Sequence, residues 1–175
     1  MFLRVNDLEL RKLHFDVAIP PGEIEYLDKL RQSADLEAQG VAELLSNTLG
    51  EIRVKGHLKV MMEADCDRCL ETAKLPLENE FDLFYRPEPE TKGHHSGEEI
   101  AIDEGEAQIA FYAGAGLELN DILREHIVLS LPMQYVCSET CKGICPVCGQ
   151  SRNLVECACR ERLVDERWAA LKNLK

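Results

Sequence analysis

Eight cysteines dominate the chemistry open to this 175-residue chain. Cys66 and Cys69 form a C-x2-C pair. Cys137, Cys141, Cys145, Cys148, Cys157 and Cys159 follow in one later stretch. Three chemistries use cysteines at such density. Disulfides would staple a small secreted domain. The N-terminus, MFLRVNDLELRKLHF, instead threads charges through its apolar residues and has no h-region of a secretory signal. Thiol redox chemistry would use Cys145-Pro-Val-Cys148, but a CPxC motif of that kind belongs at the end of an early strand leading into a helix. Here it lies among further cysteines near the C-terminus. A metal is the preferred reading. Four thiolates suit tetrahedral Zn²⁺, which makes no d-electron demand on geometry and takes soft sulfur well. The x2 spacing lets two sulfurs meet one ion while backbone N–H groups point at them. Pro146 stiffens the turn and Gly149 supplies a residue free to adopt positive φ. Iron–sulfur clusters use the same ligand type, and spacing alone does not separate them from zinc.

Eight ligands divide into two sites of four. The preferred partition is one local and one non-local site. Cys145, Cys148, Cys157 and Cys159 make a compact ribbon, and Cys66 and Cys69 join Cys137 and Cys141 across a long loop. In the rival partition one zinc takes a different four of the tail cysteines and Cys66 and Cys69 stay free thiols. The sequence leaves both open. Either way the sites read as structural. A catalytic zinc keeps three protein ligands and an open position, commonly with histidine and a carboxylate base nearby. No histidine lies in residues 137–159. The sequence shows no ordered Ser/His/Asp set, no glycine-rich phosphate loop and no HExxH, and the expectation is a protein that is not an enzyme.

The elements that must position these cysteines are mostly strands. Residues 13–19 read as a short strand stopped by Pro20-Pro21-Gly22. Residues 24–31 fit a helical turn or an extended lead-in. Leu36, Ala38, Gly40, Ala42 and Leu44 recur at spacing two, as do Ile52, Val54, Gly56, Leu58 and Val60, which puts each set on one face of a strand. Asn47-Thr48-Leu49-Gly50 supplies the turn between them. Gly56 inside a strand implies a bulge or a close backbone approach. Leu75, Leu77, Phe81, Leu83 and Tyr85 mark a third strand, so Cys66-Asp-Arg-Cys69 falls where a hairpin tip belongs. Residues 87–99 are a polar acidic loop, and Ile100–Ile102 a short edge strand. Residues 119–131 are the main helix, capped by Asn120 or Asp121 and limited by Pro132, with His126 as a satisfied structural histidine. Residues 165–175 read as a short docking helix with Trp168 as a core plug. The fold class is therefore α+β. Residues 1–133 form a body with a curved, mostly antiparallel sheet and a packed helix, and residues 134–175 a cysteine-rich, zinc-ribbon-like tail with a terminal helix.

Charge is unevenly spread. The chain carries a formal −12. Residues 1–136 hold 13 Lys+Arg against 27 Asp+Glu, and residues 137–175 hold 7 against 5. An all-over basic footprint for nucleic acid is absent, so any RNA contact has to be local or made through another protein. With no stretch of ~18 apolar residues to span a bilayer, the expected location is the cytoplasm.

Several strings occur together in a recognisable order: Val54-Lys-Gly56-His-Leu58, Cys66-Asp-Arg-Cys69-Leu70, LELNDILREHIVLSLPM at 117–133, CKGICPVCG at 141–149, Asn153-Leu154, Cys157-Ala-Cys159, and Asp165-Glu-Arg167 before Leu171. With them the chain resembles the YceD family, the large ribosomal RNA subunit accumulation proteins of bacteria and plastids. The family pattern often has Asn-Leu-Asn after CPxCG and Asp-Pro-Arg near the end, and this chain departs from it at Arg152-Asn153-Leu154 and Asp165-Glu166-Arg167. Some members lack most tail cysteines yet keep the early C-x2-C, which favours two independent sites. The resemblance implies a role in making or preserving large-subunit ribosomal RNA, without a known catalytic activity, and suggests action during subunit assembly. Two structural Zn²⁺ ions are the expected cofactors. The expected partners are that RNA or a pre-ribosomal particle, touched through Arg68, Lys142, Arg152, Arg160 and Arg162, and a ribosomal protein is a further candidate; neither a membrane nor a small-molecule substrate is expected. Two other function classes stay open: an adaptor whose acidic body holds a basic partner, and a zinc or thiol enzyme.

Overall fold

The computed structural model describes residues 1–26, 29–88 and 109–159. The chain divides into two compact units. One comprises Met1–Glu63 and Lys74–Pro132, the other Ala64–Ala73 and Met133–Lys175. The sequence boundary at 133–134 thus needs one amendment: the segment carrying Cys66 and Cys69 belongs with the tail. Arg160, Arg162, Trp168 and the expected terminal helix lie outside the described residues. So do most of the acidic loop and the edge strand expected at Ile100–Ile102.

The first unit is built on an open, mostly antiparallel sheet. In chain order its elements are β1 (Phe2–Arg4), α1 (Val5–Leu10), β2 (Leu13–Ile19), β3 (Leu30–Gln32), β4 (Leu36–Leu44), β5 (Ile52–Asp65), β6 (Thr72–Pro87), β7 (Ile109–Tyr112), β8 (Gly116–Glu118) and α2 (Leu119–Ser130). The main sheet runs β2-β4-β5-β6-β7, with β3 also on β5, and β1 and β8 form a separate antiparallel pair. β7 is the parallel exception, running alongside β6. Period-two patterning sets which face is buried. Leu36, Ala38 and Ala42 of β4, Ile52, Val54, Leu58 and Val60 of β5, and Leu75, Phe81 and Tyr85 of β6 are all buried, while their alternates face outward or are half-buried. α2 contributes Leu119, Ile122, Leu123 and Ile127 to the core.

Gly56 is a close approach. Gly40 and Gly56 face each other in the β4–β5 register, and Phe15 lies opposite Gly40 on β2. A Cβ on Gly56 would stand 3.0 Å from both the Gly40 Cα and the Phe81 Cζ, and one on Gly40 would stand 2.6 Å from Phe15 Cζ. Removing both side chains lets Phe15 and Phe81 meet across the strands, centroids 6.5 Å apart and 14° from parallel. Phe81 then packs against His126 of α2 at 5.3 Å. His126 Nε2 lies 3.2 Å from Asn79 Oδ1 and 3.4 Å from Ser130 Oγ, so it is satisfied within the fold as expected. The capping of α2 is not as expected. Its N-cap is Glu118, with no side-chain capping bond. The first helical N–H, on Leu119, donates to Met1 O at 2.9 Å, because the β1–β8 ladder runs straight into the helix and leaves no place for an Asn120 or Asp121 cap. Among the described residues of 24–31 there is no helical turn, and Leu30 and Arg31 open β3.

Candidate metal centres

Both cysteine clusters lie in the second unit. It starts as a tight tip between β5 and β6. Cys66 N–H donates to Glu71 O at 2.8 Å and Leu70 N–H to Cys66 O at 2.9 Å, with Leu70 at φ +62°. Asp67 fixes what the tip meets. Its backbone N–H donates to Tyr135 O at 2.8 Å, and its carboxylate Oδ2 accepts from Tyr135 N–H at 2.7 Å. This reciprocal staple sets the chain two residues ahead of Cys137. Arg68 completes it: its Nη1 donates to Cys141 O at 3.3 Å and Glu139 O at 3.5 Å, and its own carbonyl accepts from Ile144 N–H at 3.0 Å. Gly143 sits at φ +72°, where a Cβ would come 3.0 Å from Arg68 O, so the close approach and the left-handed backbone both ask for glycine.

The result is a first tetrad, Cys66, Cys69, Cys137 and Cys141, whose sulfurs lie within 4.8 Å of one another. A second, Cys145, Cys148, Cys157 and Cys159, meets the same limit. These are the two groups of the local and non-local partition. The first is walled by Ala73 and Val136, with Cys66 at 0% exposure. In the second Cys145 is buried but Cys148 is exposed.

The sulfur spacing of the first set fits a tetrahedral ion. Sulfurs ~2.3 Å from one metal stand about 3.8 Å apart. Cys66 and Cys141 sulfurs are 3.9 Å apart and Cys69 and Cys137 sulfurs 3.5 Å. Both separations lie far from the ~2.05 Å of an S–S bond.

Local backbone makes thiolates at the leading cysteine of each C-x2-C. Burial opposes ionisation of Cys66, but N–H groups of Cys137, Arg68 and Cys69 aim at its sulfur and bring it down to about 6. Cys145 is held at about 6 by the N–H groups of Cys148 and Val147. Cys141 is lowered by the Asn153 side chain first and the Gly143 N–H next. Sulfur crowding does the reverse elsewhere. Glu71 N–H favours the Cys69 thiolate, yet burial and the neighbouring sulfurs push it up to about 12. Neighbouring Cys148, with burial, pushes Cys159 up to about 12. A cation between four such groups relieves that repulsion.

Of the cations expected to meet RNA, Lys142 and Arg152 come together. They border a shallow cavity of ≈ 350 Å³ with Val155, Glu156 and Cys157. Arg68 is exposed, with its guanidinium engaged as above. Cysteine spacing alone does not mark Asp67, and Asn153 stands out only within the Asn153-Leu154 string. The signal available for both was their place inside or between the cysteine motifs.

An α+β sheet unit joined to a two-tetrad cysteine unit defines a class of protein with two sites that could hold metal ions. The matched family is narrower. The family model described as large ribosomal RNA subunit accumulation protein YceD matches residues 54–175, and the chain belongs to that family. A curated relative from Zea mays, "Large ribosomal RNA subunit accumulation protein YCED homolog 1, chloroplastic", is 24% identical over 135 residues, which cover 66% of this chain and 46% of the relative. The chain thus spans about half the length of that relative. No solved structure matches. The family is named for accumulation of large-subunit ribosomal RNA, and the two tetrads of this chain could hold metal ions.

Proposed function

We propose that this protein is a non-enzymatic cytoplasmic factor that supports the synthesis, processing or stability of large-subunit ribosomal RNA by binding that RNA or a pre-ribosomal particle. Two structural zinc ions, one in each tetrad, hold its second unit in the binding conformation. The observation that carries the reading is the pairing of Lys142 and Arg152 at one cavity beside the second tetrad, in a chain that belongs to a family named for this RNA. Among the described residues neither cation has a carboxylate within ion-pair distance, so both are available to phosphate oxygens. In this reading Arg68, Arg160 and Arg162 also contact the RNA.

The test is a sucrose gradient of cell lysate, probed in each fraction for the protein and for large-subunit precursor RNA, with and without RNase. Co-migration abolished by RNase is the expected result. A protein that stays at the top, free of RNA and particles, overturns the reading. A second reading rests on the acidity of residues 1–136: an adaptor for a basic partner such as a ribosomal protein. Salt separates the two. Direct phosphate contact gives a log-linear loss of affinity, and replacing Lys142 and Arg152 with alanine should flatten the slope by roughly 1.5.

A further inference from the structure

Asn153 stands in the loop that closes the second tetrad, between Cys148 and Cys157, yet its side chain serves the first. Its Oδ1 accepts from Lys142 N–H at 2.8 Å. That bond fixes the amide's orientation, and its Nδ2 then donates to Cys141 Sγ at 3.3 Å. The same loop runs along the three residues that separate Cys141 from Cys145. Arg152 N–H donates to Gly143 O at 2.8 Å, Ile144 and Ser151 form a bridge, and Cys145 N–H donates to Gln150 O at 2.8 Å. The linker between the two tetrads is therefore gripped on one side by Arg68 of the first tip and on the other by residues 150–153 of the second loop.

We propose that Asn153 couples the two metal centres, so that an ion held by Cys145, Cys148, Cys157 and Cys159 tightens the binding of an ion by Cys66, Cys69, Cys137 and Cys141.

The physical reason is ordering. Holding a loop residue in one conformation costs roughly 1–2 kcal/mol of backbone entropy. An ion in the second tetrad pins the loop through Cys148 and Cys157 and so delivers Asn153 already placed. Its N–H then meets the Cys141 thiolate without a further ordering cost. Ligand-orienting partners of this kind contribute 10- to 100-fold to metal affinity as a rule. By linkage the effect is mutual: an ion in the first tetrad tightens the second by the same factor. Asn153 is a positioning residue in this scheme and touches no metal. The inference rests on both tetrads holding metal and is independent of RNA.

The test uses the full-length chain, Co²⁺ as the probe and a competing chelator. Cys148→Ser with Cys157→Ser leaves the first centre alone, and Cys66→Ser with Cys69→Ser leaves the second. In the wild type the constant for binding both ions should exceed the product of the two single-centre constants by about 10- to 100-fold. Asn153→Ala should bring that ratio to about 1. A wild-type ratio near 1, or an Asn153→Ala ratio equal to that of the wild type, overturns the coupling. A wild type that binds no more than one ion overturns the metal reading beneath it, a distinct outcome. Where a serine variant fails to fold, the fully loaded wild type and Asn153→Asp give the second readout. Aspartate keeps the acceptor for Lys142 N–H and lacks the N–H for sulfur. Loss of that bond should move the sulfur-to-cobalt charge-transfer band to longer wavelength, and an unmoved band overturns the proposal.

Discussion

The two cysteine tetrads share a plan and differ in what closes them. Each begins with a C-x2-C turn whose backbone N–H groups hold the leading sulfur down to about 6. The first recruits its remaining sulfurs from 68 residues away and buries three of its four cysteines; the second closes over 9 residues and leaves Cys148 exposed. Loop closure scales as (3/2)RT ln n, so the longer crosslink constrains the unfolded chain more, by roughly 2 kcal/mol. Burial adds to the difference, since a competing ligand reaches Cys148 before it reaches Cys66. With a metal bound in each tetrad, the same turn would make a deep crosslink in one place and an accessible surface centre in the other.

The comparison breaks most readily by removing one centre at a time. Cys66→Ser should cost more thermal stability than Cys148→Ser, by about 2 kcal/mol from loop closure alone, with further loss from the buried cluster around Ala73 and Val136. Calorimetry alongside a zinc count by elemental analysis checks it. Two ions in the wild type are expected, and equal losses from the two substitutions would remove the distinction between the centres.

A chelator added to the zinc-loaded protein should strip it in two phases. The faster phase belongs to the second tetrad, because exposed Cys148 offers the point of entry. Its assignment follows from Cys148→Ser, which should abolish the fast phase and leave the slow one. A single phase, or a fast phase that survives, would mean that burial does not order the two centres.

A change confined to the sheet unit sharpens the comparison from the other side. Gly56→Ala drives a methyl toward the Gly40 backbone and the Phe81 ring. Overpacking of this kind costs typically 1–3 kcal/mol. Zinc content should remain that of the wild type, since no tetrad residue belongs to that unit. Urea unfolding followed by circular dichroism reads the first quantity and metal analysis the second.

How much of this was legible depends on the range of the signal. β2, β4, β5 and β6 were readable because one buried face imposes period two over seven or more residues. β1, β7 and β8 span three or four residues, and their partners lie far along the chain, so no local pattern marks them. The α2 cap differs for the same reason: pairing of β1 with β8 starts the helix at Leu119, whose N–H donates to Met1 O, so Asn120 and Asp121 fall inside the first turn and not at the cap. Cysteine spacing pointed to metal-binding sets of four but left both their number and their membership open. The grouping found depends on bonds that spacing does not encode: the Asp67 staple to Tyr135, the Arg68 guanidinium on the Cys141 carbonyl, and Asn153 on the Cys141 sulfur.

The smallest effect separates what acid does to the two units. In the cysteine unit protons compete with metal for sulfur, so lowering pH releases the ions. In the sheet unit one responsive group is His126, whose pKa burial lowers from 6.5. A lowered folded value means the unfolded chain binds the proton more readily, so the neutral imidazole's contribution is complete above pH 6.5 and is lost as pH falls through the folded value. The imidazole is only partly enclosed, and solvent screening keeps the effect below ~1 kcal/mol. Hydrogen exchange of α2 amides between pH 5 and 7, corrected for intrinsic rates, reads the sheet unit without the metal centres. Protection should rise with pH in the wild type and lose that slope in His126→Gln, whose amide does not titrate. A slope that persists in the variant would assign the acid response of the sheet unit to another group.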